Sequence, residues 1–409
     1  MPEARGAVTH HDVIIVGGGP AGLATGLFLC HDDPSRRGKV VVLEKEHYPR
    51  DKFCAGGIGA RADQTLLRIG IRVDVPSVPI DGVSIQLAGG AVCVRAAPIG
   101  RVVRRVEYDH ALARLTSSRG VRIVEGAQVT GIRVGPRGVT VDSTAGAWHG
   151  RVVVGADGVG SAVRRAMGLP AGALRAQVIE LDTEPVPGDK DRGILHFDAS
   201  LADLSGYAWD FPTLVDGEPL VCRGVYHLKT GDRDVDIRAL LAARLSARGL
   251  DIGRYRIKRF AERGFEPHQP YAAPRVLLVG EAAGIDALTG EGIAQAIAYG
   301  AFAGPYLAEK LAHMEFSFED FTRRLARSAV GVETRIRARF VPHYFGPDRA
   351  ALERSVLSSP AFVALGLEHF AGRRLSRSQL ARALLSAAWH TARARDASPA
   401  RAAGFQRAS

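Results

Sequence analysis

The sequence predicts a mixed α/β fold (α+β overall): a Rossmann-type domain, an antiparallel-sheet domain inserted within it, and a helical C-terminal region. Three observations predict it. The apolar run Val13-Ile14-Ile15-Val16 meets Gly17-Gly18-Gly19-Pro20-Ala21-Gly22, then an apolar helical stretch over 23–30 and a second run, Val40-Val41-Val42-Leu43, ending in Glu44. Residues 178–229 alternate apolar and polar positions, the period of a half-buried strand. From residue 317 onward the pattern turns helical.

The first element reads as strand, glycine turn, helix and strand. Gly17 permits the tight turn, Gly19 lets backbone approach a pyrophosphate, and Gly22 lets the helix pack close to the strand. The helix N-terminus then offers its N–H groups to phosphate. Glu44 lies about 20 residues past the glycines, the place of a ribose 2′-OH partner, so a bound dinucleotide is expected. Next come a hairpin over 79–96 turning at Ala88-Gly89-Gly90, a helix over 108–118, a strand over 121–124 and a meander over 129–141. A buried strand over 151–155 precedes the antiparallel sheet, and a helix over 236–248 follows it. The run Val276-Leu277-Leu278-Val279 reads as a buried strand leading to a glycine-bearing loop and a long helix. The nucleotide-binding domain is therefore expected in three pieces, 8–78, 98–175 and 270–316. The substrate domain would take 79–97 and 176–269, and the helical region 317–409.

The length, 409 residues, and a hydrophobic content of 46% allow two domains with a sizeable core. No uncharged apolar run reaches the roughly 18 residues of a membrane span, and the first ten residues lack a signal-peptide core. Cys30, Cys54, Cys93 and Cys222 are scattered, which indicates neither a disulfide framework nor a metal site and suits a cytoplasmic location. The formal net charge is +11, with arginine groups at 323–339 and 373–395. No nucleic-acid recognition motif accompanies that charge. It reads either as a solvated surface or as attraction to anionic lipid, a peripheral contact at the inner membrane surface. Leu380, Leu384 and Ala387 recur at helical spacing near Trp389, a stretch that either packs on the substrate domain or lies on a membrane. The oligomeric state is left open.

Two further motifs complete the set. Gly155-Ala156-Asp157-Gly158 follows the strand over 151–155, and Gly280-Glu281-Ala282-Ala283-Gly284 precedes Leu288-Thr289-Gly290-Glu291-Gly292-Ile293. With the glycine turn and the segment Lys52-Phe53-Cys54-Ala55-Gly56, the chain resembles the flavin-dependent oxidoreductases of the para-hydroxybenzoate hydroxylase fold, and within them the geranylgeranyl reductases. The resemblance spans 12–310 and implies FAD. It places Gly17, Gly19, Pro20, Ala21 and Gly22 at the pyrophosphate and Glu44, with Lys45 beside it, at the adenosine ribose. Asp157 and Gly158 match the family's DG motif, and Arg105, four residues before Asp109, matches an arginine that helps hold FAD. Gly280 and Glu281 belong to the ribityl contact, where the family usually has aspartate in place of Glu281, and often proline in place of Ala287. Gly290, Gly292 and Ile293 would bring a helix N-terminus to the flavin ring, where its positive end stabilises the anionic reduced form.

The segment around Cys54 resembles the reductases' Lys-x-Cys-x-Gly, with Cys54, Ala55 and Gly56 near the flavin and Arg50 and Lys52 available to phosphate. Cys54 is a candidate catalytic contact; its other reading is a small buried hydrophobe. Tyr207-Ala208-Trp209-Asp210-Phe211-Pro212 resembles the reductases' Tyr-x-Trp-x-Phe-Pro, which lines an apolar cavity. Tyr207, Trp209 and Phe211 share one face of a strand and read as either core or substrate wall, Tyr207 and Trp209 being catalytic candidates and Tyr207 a candidate proton donor. The same segment aligns with the flavin-dependent halogenases' Gly-Trp-x-Trp-x-Ile-Pro at Gly206, Trp209 and Pro212. His196, His227 and His268 are isolated, and Asp286 lies beside the third motif. The resemblance implies an FAD-dependent reductase of carbon–carbon double bonds in an apolar isoprenoid or lipid. Electrons would come from NAD(P)H or a ferredoxin-like carrier bound transiently, since no second nucleotide motif exists. The alternatives are a monooxygenase or halogenase acting through a flavin C4a-hydroperoxide, or a flavin- and lipid-binding protein without turnover.

Overall fold

Strand His10–Val16 lies at the middle of a largely parallel sheet, between Gly146–Gly155 and Val40–Leu43. Val276–Leu278 extends this sheet beside Gly146–Gly155, and Arg122–Val124 extends it beside Val40–Leu43. The hairpin Val129–Gly135 and Gly138–Ser143 joins it antiparallel through Gly146–Gly155. Val13, Ile14, Ile15, Val40, Val41 and Val42 are fully buried, as unbroken apolar strands of a parallel sheet covered on both faces must be. Helices Pro20–Asp32 and Ile293–Ala312 cross closely because Gly300 and Gly304 share one helical face; a Cβ there would lie 2.5 Å from Ala24 and 2.6 Å from Leu29. The computed structural model describes residues 10–373 other than 190, 202, 230–233 and 360, together with positions 378, 381, 385 and 389.

The second sheet runs in the order Lys258–Arg263, Arg175–Thr183, Glu218–Leu228, Gly206–Val215, Ile194–Asp198, Ser77–Leu87, Gly90–Val103, Gly57–Gly59. All its pairings are antiparallel except that of Ile194–Asp198 with Ser77–Leu87. One register line crosses it from Lys258 through Glu180, Gly224 and Trp209 to Phe197. The next line holds Phe260, Val178, Tyr226 and Tyr207. Period two sets Lys258, Phe260 and Glu262 on the face that carries the aromatic side chains.

The expected segments interleave more tightly than their sequence boundaries. Gly57–Gly59, inside 8–78, and the end of strand Gly90–Val103, inside 98–175, both belong to the second sheet. The hairpin strands run longer than 79–96, as Ser77–Leu87 and Gly90–Val103. The helix expected over 108–118 starts earlier, as Arg105–Ser118, because Arg105 and Asp109 pair one turn apart within it. Ile237–Ser246 replaces 236–248, with Asp236 capping its N-terminus.

Among the described residues four helices follow the nucleotide-binding core: Phe321–Arg327, Ala329–Tyr344, Arg349–Ser358 and Ala361–Phe370. The last packs on the second sheet, with Val363 and Leu367 in the apolar cluster of Trp209 and Phe211. Among the described residues no helix is long and apolar enough to cross a membrane. The stretch 374–395, with its helical spacing of leucines, lies outside the described residues apart from its isolated positions.

Candidate active site

The glycine turn is built by close approach on one side and open space on the other. Gly17 has φ +104°, and a Cβ there would lie 2.4 Å from the Ala156 carbonyl oxygen; only glycine accepts both conditions. At Gly22 a Cβ would come within 2.0 Å of the Gly17 carbonyl oxygen. At Gly19 it would meet nothing within 4 Å, and helix Pro20–Asp32 begins there without a side-chain cap. An open backbone cradle at a helix N-terminus is what a pyrophosphate requires, so these residues fit a dinucleotide. Gly280 is explained by packing: it has φ +58°, and a Cβ would lie 2.5 Å from that of Ala21.

A buried chain of charges ties the turn to the helix Arg105–Ser118. Glu44 accepts from Gly18 N at 2.9 Å and from Glu46 N at 3.1 Å. Arg50 reaches Glu44 at 3.2 Å and Asp109 at 2.9 Å. Arg105 grips Asp109 through two bonds of 2.7 Å. Burial pushes the Asp109 carboxyl upward, but Arg105 and then Arg50 hold it below the usual carboxylate range. Arg105 thus acts on the turn through Asp109 and Arg50. Lys45 is exposed, pairing with Glu46 at 3.5 Å, and is not drawn into the site. Asp157 caps the helix Ala162–Ala166, accepting from Ser161 Oγ at 2.5 Å and Ala162 N at 2.6 Å. Next to it, a Cβ on Gly158 would sit 3.5 Å from Glu281. The extra methylene of Glu281, relative to the aspartate usual at this position in the family, carries its carboxylate to Lys52 Nζ at 3.4 Å and Arg263 N at 3.3 Å.

The third motif is clamped from the C-terminal region. Asp286 is buried and bonds to Arg337 and Thr289. Gln295 accepts from Asp286 N at 2.8 Å and donates to Glu333 at 3.0 Å. Arg61 spans Glu291 and Glu333 at 3.1 and 2.7 Å. Helix Ala329–Tyr344 therefore fixes the loop carrying Gly290 and Gly292, and with it the uncapped N-terminus of Ile293–Ala312. Arg337, one of the surface-cluster arginines by sequence, neutralises a buried acid.

The aromatic strand is tied to that loop. Tyr207 donates to the Thr289 carbonyl at 2.5 Å and Tyr226 to that of Ala287 at 2.9 Å. The two rings stack at 5.3 Å, and Phe197 meets Tyr207 and Phe211 edge-on at 5.2 and 5.1 Å. Trp209 lies over Gly224, where a Cβ would come within 2.2 Å of the indole. Burial drives the Tyr207 hydroxyl well above its ordinary range, and its proton is already given to Thr289, a poor position for a proton donor.

The segment at Cys54 closes over the same face. Cys54 N donates to Glu180 Oε1 at 2.9 Å, and Cys54 Sγ accepts from Gly56 N at 3.4 Å. Burial raises the Cys54 thiol, keeping it protonated. Ala55 packs against the aromatic cluster, and Gly56 has φ +78° with Val103 O only 2.0 Å from where a Cβ would be. Glu180 is fully buried, and burial pushes its carboxyl up to about 7 in spite of Lys258. A carboxyl raised by folding binds its proton more tightly in the folded state, so stability falls as pH rises from the ordinary carboxylate range to about 7. Glu180→Gln keeps an acceptor for Cys54 N and removes that penalty. Urea midpoints of the variant should lose the fall seen in the parent between mildly acidic and neutral pH, a difference of about 3 kcal/mol.

Residues 10–189 match the FAD binding domain family. A solved geranylgeranyl bacteriochlorophyll reductase-like protein from Thermoplasma acidophilum aligns over 95% of this chain and 98% of its own, with a TM-score of 0.70 and 18% identity. The chain has the fold of that geranylgeranyl reductase-like protein, and its first part is similar to an FAD binding domain. The chain is also 27% identical over 330 residues to menaquinone reductase of Mycobacterium tuberculosis, covering 73% of this chain and 76% of that protein. It is 24% identical over 339 residues to digeranylgeranylglycerophospholipid reductase 2 of Methanosphaera stadtmanae, covering 75% and 80%.

The structure gathers Cys54, Tyr207, Trp209, Phe211, Glu281 and Gly290 around one junction between the two sheets. Sequence reasoning passed over Glu180, Glu262, Tyr226, Glu333 and Arg337. Glu180 and Glu262 carried a signal in principle: each is an acid that shares its strand face with apolar residues, Glu180 with Ala176 and Val178, and Glu262 with Phe260.

Proposed function

We propose that this flavoprotein reduces carbon–carbon double bonds of an apolar, isoprenoid-type substrate. The observation that carries the reading is the aromatic face of Tyr207, Trp209, Phe211 and Tyr226, bound to the glycine loop that resembles a flavin-facing one. Relatives named as reductases of menaquinone and of a digeranylgeranyl phospholipid support it. Gly17, Gly19 and Gly22 would hold the FAD pyrophosphate, Glu44 the adenosine ribose, and Gly290, Gly292 and Ile293 the ring. Bound FAD supplies hydride chemistry once an electron donor, NAD(P)H or a ferredoxin-like carrier, has reduced it. The aromatic face orients an extended apolar chain and excludes water, which an unactivated alkene requires. The Cys54 thiol, protonated and bonded to Gly56 N, borders this space as a neutral contact.

The test is product mass after incubation of FAD-loaded protein with a prenyl-lipid extract and dithionite, with and without oxygen. A gain of about 2 Da per double bond that persists without oxygen is expected. A gain of about 16 Da that requires oxygen would instead establish a monooxygenase.

A further inference from the structure

Glu262 is a carboxylic acid that neither sheet uses structurally. It lies on the last full position but one of strand Lys258–Arg263, paired with Ala176, and shares its face with Lys258 and Phe260. Its Oε2 is closed off from solvent and, among the described residues, has no hydrogen-bond partner. That oxygen is 3.0 Å from where a Cβ on Gly290 would stand, and the same point lies 3.2 Å from the Tyr226 ring and 3.4 Å from the Tyr207 hydroxyl. Both tyrosine hydroxyls point away to carbonyls of the third motif, Thr289 and Ala287. The unsatisfied carboxyl oxygen therefore sits where the glycine loop meets the aromatic face.

Resting on the reductase reading, we propose that Glu262 is the proton donor to the substrate carbon. In the balanced step the Glu262 carboxyl proton would go to one alkene carbon, and the hydride for the other would come from FAD that the electron donor had reduced. The carbon–carbon double bond becomes single, FAD is left oxidised, and Glu262 is left as carboxylate to be reprotonated by water. The charged and titratable groups facing Glu262 are Glu281 and Asp286 of the third motif, Lys52 and the Cys54 thiol of the Cys54 segment, Glu180 of the neighbouring strand, and Tyr207 and Tyr226. Burial, then Glu281, raises its carboxyl well above the usual range against the pull of Lys52, a shift towards the protonated acid that a donor needs. Glycine at 290 lets the loop of the third motif lie close against Oε2, since a Cβ there would stand only 3.0 Å from it.

The experiment compares the full-length FAD-loaded parent with Glu262→Gln. Infrared spectra at neutral pH should show a carboxylic-acid carbonyl band that Glu262→Gln lacks. Under anaerobic dithionite with a prenyl-lipid extract, reduction should slow by about 10²- to 10⁴-fold with flavin content unchanged. Should Glu262→Gln fail to retain FAD, Glu262→Asp keeps the acid one methylene back, and its rate should fall while its pH profile shifts. Parent-like rates in Glu262→Gln, or parent-like rates and pH profile in Glu262→Asp, or no band lost, overturn the donor role and leave the reductase reading standing. An oxygen-requiring mass gain in the parent overturns both.

Discussion

Gly19→Val is expected to fold as stably as the parent apoprotein and to bind FAD roughly 5- to 150-fold more weakly, the equivalent of about 1–3 kcal/mol of overpacking against a bound group. The expectation follows from the open space before Gly19, where a Cβ meets no atom within 4 Å. The protein itself has room for the side chain, so the loss would belong to the cofactor. Gly22→Ala supplies the contrast. Its Cβ would strike the Gly17 carbonyl oxygen at 2.0 Å, with Ile15 and Ala156 at 3.1 and 3.2 Å behind it. That variant should lose both thermal stability and FAD. Flavin content per protein and the melting temperature of the apoprotein separate the two. A Gly19→Val protein with full FAD content would remove the pyrophosphate from this cradle.

Asp109→Ala should cost about 3–5 kcal/mol, because it leaves buried cations without their partner. Arg105 would lose both of its 2.7 Å bonds, and Arg50 its bond of 2.9 Å. Asp109 is held below the ordinary carboxylate range in the folded state. The stabilisation is therefore present above the unfolded carboxyl's range and lost as pH falls through the depressed folded value. At neutral pH the full penalty should appear in urea denaturation. FAD content should fall too, since Arg50 also bonds the Gly18 carbonyl at 3.1 Å. A loss below 1 kcal/mol, the scale of an exposed pair, would show that water reaches the arginines.

The parts of this site that could be read in the sequence are those written locally. The glycine turn, its flanking strands and Glu44 lie within one βαβ unit, where spacing alone carries the meaning. The shared face of Tyr207, Trp209 and Phe211 follows from period two. Glu262 could not be placed that way, because its neighbours Gly290 and Tyr207 are brought to it by two different sheet connections. Nor could Arg337, whose partner Asp286 is 51 residues away in sequence and whose own segment looks like a solvated basic helix. Arg105 was placed near the cofactor by motif, but only the structure shows that it works through Asp109. The departure at Glu281 acquires a reason in the same way: the longer side chain reaches Lys52.

The three-piece nucleotide-binding domain has a consequence for synthesis on the ribosome. Val276–Leu278 must pair beside Gly146–Gly155, and Ile293–Ala312 must dock on Pro20–Asp32, before the cradle has all its walls. The second sheet emerges in between and draws on strands from both sides. A nascent chain therefore carries an open parallel-sheet edge through most of translation, and such long-range closures are slow. Closure of the cradle becomes a late event, and a product truncated before residue 312 would leave the ribosome with that cradle incomplete.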